Sequence, residues 1–215
     1  MTTSSQNIES FVREACKGRD PSHGLEHMQK VRDNALLIHR MMGHQTETKT
    51  EIRPTVSDVT LVALLHDVAD HKYDKDGTLN EKIREFLVSR DIDPDPVMAC
   101  IDAISFSKEH RNGMRWFEKA LGPYWTQVRD IVSDADKFEA IGVVGIQRCL
   151  EYGAAQGYAG SDAVRHLLSH MRDKLLLIRD QYIVTDPGKL LSIPLHEQMV
   201  RCALDIAIDT FTYKV

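Results

Sequence analysis

Long apolar runs are missing from this 215-residue sequence, and no stretch approaches the roughly 20 residues that a membrane-spanning helix needs. Its opening residues, MTTSSQNIES, carry neither a basic stretch nor an apolar segment of the secretory kind, so a soluble, cytoplasmic chain without membrane partners is expected. Excess positive charge is missing too. The formal net charge is −5 with both signs interspersed, which leaves no basic face for a phosphate backbone and argues against nucleic acid as a partner. Cysteine is sparse: Cys16, Cys100, Cys149 and Cys202 lie far apart with no Cys-x-x-Cys spacing. That excludes a zinc ribbon and a thioredoxin-type redox pair, and it fits scattered free thiols in a reducing compartment. Internal repeats, low-complexity segments and strand-period alternation are absent as well.

What is present is helical spacing. IESFVREACK predicts an amphipathic helix ended by Gly18, and HMQKVRDNALLIHRMM predicts a second, with Val31, Ala35, Leu36, Ile38 and Met42 as its stripe and Gly43 as its stop. GHQTETKTEIRP reads as a loop ending at Pro54. Ser57 and Asp58 supply a start signal for a helix through VTLVALLHDVAD. TLNEKIREFLVSR presents Ile83, Phe86 and Leu87 on one face, and the prolines of DPDPVMACIDAIS suit a helix entrance. A less regular segment follows to about Tyr124. Helical periodicity returns in TQVRDIVSDADKFEAIGVVGIQRCLEYG, where Gly142 and Gly145 suggest close helix packing. SDAVRHLLSHMRDKLLLIRDQYI and IPLHEQMVRCALDIAIDTFTYKV complete the series across the turn-rich TDPGK. A single all-α domain of seven or more helices is expected.

Several ionisable residues interrupt the apolar stretches: His23, His27, His66, Asp67, Asp70, Asp134 and Asp136. Burying an ionised carboxylate without a partner is costly. Imidazole and carboxylate together form a mixed N/O ligand set suited to a first-row divalent ion, which would offset that cost. Taken singly, each has a plainer reading as a hydrogen-bonded core histidine, a helix cap or a solvated turn.

Taken in order, His27, His66-Asp67 and Asp136 form the series H…HD…D. In this the sequence resembles the HD-domain metal-dependent phosphohydrolase superfamily, an all-helical fold named for its His-Asp pair. It is similar further to a branch of small, single-domain, bacterial-type HD hydrolases, through DPSHGLEHMQKV, ALLHDVADHK, AISFS, DADKFEAIGVVGIQRCLEYG, HMRDKLL and TDPGK. These stretches follow the family's order and make a motif core of about residues 20 to 190. Some members of that branch are nucleotide pyrophosphohydrolases that depend on manganese.

The resemblance places metal ligands on His27, His66, Asp67 and Asp136. Asp136 is preferred over Asp134 because it is the Asp of the motif Ala135-Asp136-Lys137, with Asp134 left to orient a ligand or cap the helix. Manganese is the ion implied first, with iron, cobalt, nickel, zinc and magnesium as alternatives. Asp70 stands four residues after His66, on the same face if the segment is helical, where relatives carry a catalytic acid. It is assigned to orient or deprotonate the attacking water. Lys72 and Lys137 are the nearest cations for phosphoryl charge. His23 either contacts a phosphate or protonates the leaving group, against a plainer reading as a helix-entrance residue bonded to backbone. Lys174, Lys189, Arg148 and His170 match family positions for an anionic substrate, against a plainer reading as solvated surface. Trp116, Tyr124 and Trp125 either wall off a base or belong to the core.

Two departures matter: Gly24 stands where the family often has Asp, and Leu195 where it often has Arg. The segment from Lys108 to Tyr124 aligns poorly, and such loops carry specificity. The reaction implied is hydrolysis of a nucleoside triphosphate to monophosphate and pyrophosphate. The alternatives are a phosphomonoesterase on nucleoside monophosphates, a non-catalytic nucleotide-sensing HD module, or a purely structural helical protein. A homodimer is left open.

Overall fold

A computed structural model describes residues 2–19, 23–45 and 53–212, and every regular element among them is helical. The helices are α1 (Thr2–Ala15), α2 (Leu25–Gln45), α3 (Val56–Leu65), α4 (Thr78–Val88), α5 (Pro94–Ile104), α6 (Phe106–Asn112), α7 (Glu118–Phe138), α8 (Gly142–Ala155), α9 (Gly160–His170), α10 (Asp186–Leu191) and α11 (Ile193–Thr212). Two π-helical turns, Met171–Leu175 and Ile178–Tyr182, separate α9 from α10. No described helix is long and apolar enough to cross a membrane. The chain forms two compact units, Met1–Ala135 and Asp136–Val215, with the division falling near the end of α7.

In the first unit α3 packs against α1, α2 and α5. Val59 is buried and so are the consecutive Leu61, Val62, Ala63, Leu64 and Leu65, so the C-terminal half of α3 is apolar on every side, as the centre of a core must be. It starts at Thr55 rather than at Ser57 or Asp58, because the Thr55 hydroxyl accepts the Asp58 amide at 3.0 Å. The Tyr124 hydroxyl completes this cap, accepting the Thr55 amide at 3.0 Å and donating to the Asp58 carboxylate. The helix also stops earlier than expected, at Leu65. Beyond it, Val68 donates to the Leu65 carbonyl at 3.1 Å and Asp70 to the Asp67 carbonyl at 3.3 Å, so turns replace the helical ladder.

Helix α2 runs through Gly43 to Gln45, and the expected stop is not used: helical Gly is tolerated where the flanking turns hold it. Most of the predicted loop after it, residues 46 to 52, lies outside the described residues. Helix α4 buries Ile83, Phe86 and Leu87 as its spacing predicts, and α5 begins at Pro94 with the Asp93 carboxylate accepting the Asp95 amide. The segment that reads as irregular contains α6 and the start of α7, where Gly122 at φ 68° and then Pro123 kink the chain.

In the second unit α8 packs against α9 and α11, and α10 lies on α11. The long helical pattern breaks after Phe138 and resumes at Gly142, which adopts φ +71°. Gly145 serves this turn rather than a helix–helix contact: a Cβ there would stand 2.2 Å from the Ala140 carbonyl oxygen. TDPGK is a helix start and not merely a turn, because Thr185 caps α10 by accepting the Gly188 amide at 3.0 Å.

Candidate metal centre

His66 sits at the C-terminal cap of α3, delivered to the edge of the core by the buried run before it. Its Nδ1 lies 2.8 Å from the Ala63 carbonyl oxygen and donates to it, so Nε2 is the ring nitrogen whose lone pair could ligate a metal. His27 stands in the first turn of α2, one residue before the buried stripe Met28, Val31, Ala35 and Ile38, and is only 5% exposed. The two imidazole centroids are 5.4 Å apart with planes inclined at 58°. Helix α7 buries Val128, Ile131, Val132 and Ala135, and that register brings Asp136 out half-buried on its last turn. His27, His66 and Asp136 each offer a ligand atom, and all three atoms lie within 4.8 Å of one another. Two imidazoles and a carboxylate so placed fit a divalent transition ion.

The neighbouring candidates take other places. Asp67 is half-buried beside His66 but is not one of these three, and Asp134 is fully buried two residues before Asp136. Lys137 is buried next to Asp136. Asp70 arrives through successive turns and not by helical periodicity, since α3 has already ended. One of its carboxylate oxygens accepts the Lys72 amide at 2.8 Å, and the other lies 3.5 Å from His71 Nδ1. The Lys72 ammonium stands 3.4 Å from His23 Nε2, so two residues 49 apart in sequence share one corner. The Tyr73 ring lies 5.6 Å from that of His23.

Arg19 escapes a reading of the sequence, because an arginine in the polar stretch KGRD carries no signal of its own. Its guanidinium donates to the Asp67 carbonyl at 3.0 Å and the Val68 carbonyl at 2.5 Å, and lies 4.3 Å from the Tyr73 ring centroid.

The remaining charged candidates belong to the second unit. His170 ends α9, stacks 6.2 Å from His166, and is held below the ordinary histidine range by burial, then by the positive Lys174 and His166, against Asp173. Lys174 lies half-buried on the first π-helical turn, Arg148 is half-buried on α8, and Lys189 is exposed on α10. The His166 ring also stacks on Tyr158 at 4.7 Å. Among the aromatic candidates, Tyr124 spends its hydroxyl on the α3 cap and meets Trp125 edge-on, while Trp116 is edge-on to Phe117.

This arrangement of helices is the HD-domain fold. An HD-superfamily hydrolase from Bacillus thuringiensis superposes with a TM-score of 0.62 at 20% identity, covering 99% of this chain and 97% of that one. Bacillus subtilis YpgQ, whose crystal structure is in complex with ADP, gives a TM-score of 0.69 at 22% identity over 97% of this chain and 95% of that one. A Lactobacillus plantarum protein gives 0.72 at 21% identity over 99% of both chains. No family model and no curated protein matches the sequence.

Proposed function

We propose that this chain is a divalent-metal-dependent phosphohydrolase that cleaves a nucleoside triphosphate to monophosphate and pyrophosphate. The observation that carries the reading is the convergence of His27, His66 and Asp136 within 4.8 Å on an HD-domain fold. Those three residues, joined by Asp67, hold the ion, and manganese suits their mixed nitrogen and oxygen donors. A bound divalent cation supplies Lewis acidity toward a phosphoryl oxygen and toward water.

The other groups follow from their placement. Asp70 keeps one carboxylate oxygen on the Lys72 amide, which fixes its orientation, and uses the other to align the attacking water and take its proton. Lys72 and His23, 3.4 Å apart, meet phosphate oxygens together, and Lys137 adds charge beside Asp136. Lys174, Lys189, Arg148 and His170 stay candidates for an anionic substrate on the family resemblance alone. The ADP bound by YpgQ supports a nucleotide in that role.

The test is hydrolysis of a panel of nucleoside tri-, di- and monophosphates with manganese, scored for pyrophosphate and orthophosphate separately. Triphosphates should yield pyrophosphate, and Asp70→Asn should lower kcat by about a hundredfold or more. Orthophosphate release from monophosphates alone would move the reading to a phosphomonoesterase. Nucleotide binding without turnover of any of them would leave a sensing module.

A further inference from the structure

Two chain segments are knitted together beside the metal ligands. At the end of the first, Gly18 adopts φ +82° and the Arg19 amide donates to the Cys16 carbonyl at 3.1 Å, which turns the Arg19 side chain toward residues 67 to 73. Nη1 then reaches the Asp67 carbonyl and Nη2 the Val68 carbonyl, at 3.0 and 2.5 Å. These oxygens follow the end of α3, where no continuing helix supplies amides for them. The Asp67 carbonyl also accepts the Asp70 amide at 3.3 Å. One guanidinium therefore fixes the peptide planes on both sides of Val68, and with them the backbone that carries Asp67 and Asp70. Tyr73, beneath the guanidinium at 4.3 Å, closes the clamp from the far end of the turn. His66 needs none of this, being held by its own bond to Ala63.

We infer that Arg19 is a positioning residue of the metal centre, setting where the Asp67 and Asp70 carboxylates stand by clamping the two carbonyls between them. The inference rests on the metal reading above and extends it to a residue outside the HD motif. The planar fork matters as much as the charge: a lysine ammonium offers no pair of parallel donors for adjacent carbonyls.

Arg19→Lys and Arg19→Ala test it, through Mn2+ affinity measured by electron paramagnetic resonance and the visible absorption bands of the Co2+-loaded protein. Arg32→Ala is the control: it removes the ion pair with Glu9 that ties α2 to α1 and leaves the turn untouched. Both Arg19 variants should weaken Mn2+ binding by about ten- to a hundredfold and move the Co2+ bands. Arg19→Lys should regain more of the melting temperature than of the affinity. Arg32→Ala should keep wild-type affinity and bands even as it melts earlier. Wild-type affinity and bands in the Arg19 variants, or equal losses in Arg32→Ala, would overturn the inference alone. A wild-type chain that takes up neither ion would overturn the metal reading, and this one with it.

Discussion

Glu109→Gln probes the segment between α5 and α7 that aligns least well with the family. The Glu109 carboxylate and the Arg129 guanidinium are 2.8 Å apart, with both side chains at 0% exposure. At an effective dielectric of about 20, a pair at that separation attracts by about 6 kcal/mol. Arg129 has further partners: its Nε donates to the Ala103 carbonyl at 3.0 Å, Asp130 lies 3.2 Å away, and the Phe117 ring centroid is 4.2 Å from Cζ. Neutralising Glu109 also removes the cost of burying its own charge, which is several kcal/mol. The net loss should therefore fall at the lower end of the range for a broken buried pair, about 3 kcal/mol. For a chain of this size that lowers Tm by about 6–12 °C. Urea and thermal melts of the single variant, set beside Glu109→Leu with Arg129→Met, measure it. Removing both charges should recover most of the loss, because an apolar pair replaces a desolvated ionic one. A single variant within about 1 kcal/mol of wild type, or a double variant worse than the single, would refute the reasoning.

Two further outcomes follow from the second unit. Gly145→Ala places a Cβ 2.2 Å from a backbone oxygen that cannot swing away, so it should cost about 2–3 kcal/mol, read as an earlier urea midpoint; an unchanged midpoint would show that the turn after α7 yields easily. His170 has its pKa lowered from 6.5, so the unfolded chain takes up that proton first as pH falls: the stability it contributes is complete above about pH 6.5 and is lost as pH drops through the folded value. Urea midpoints from pH 7.5 to 5 should fall less steeply in His170→Gln than in wild type, and parallel profiles would contradict the shift.

Much of the helical order is legible in the sequence where a cap or stripe has one meaning. Asp93 with Pro94 opens α5, and Ile83, Phe86 and Leu87 mark the buried face of α4. Legibility fails where a signal has several. The run from Leu61 to Leu65 is apolar on all sides, so periodicity gives no end point, and only the turns after Leu65 show that His66 is a cap. Gly43 stays helical whereas Gly142 ends up at positive φ, and nothing local distinguishes them beforehand. The π-helical turns from Met171 keep a helical pattern while changing its hydrogen-bond register. At the centre, the order H…HD…D names His27, His66, Asp67 and Asp136, and three of these four, His27, His66 and Asp136, come close enough together to hold one ion, because the capacity to ligate is written in residue type. Arg19 acts through backbone carbonyls, whose positions no residue type announces.

Equilibrium dialysis against Mn2+ tests the central claim most directly, using wild type beside His27→Ala, His66→Ala and Asp136→Asn, with helicity followed by circular dichroism. If the three side chains hold a divalent ion together, wild type should take up about one ion per chain. Each variant should stay helical and lose at least about tenfold in affinity. Full uptake by folded variants, or no uptake by wild type, would contradict the metal centre.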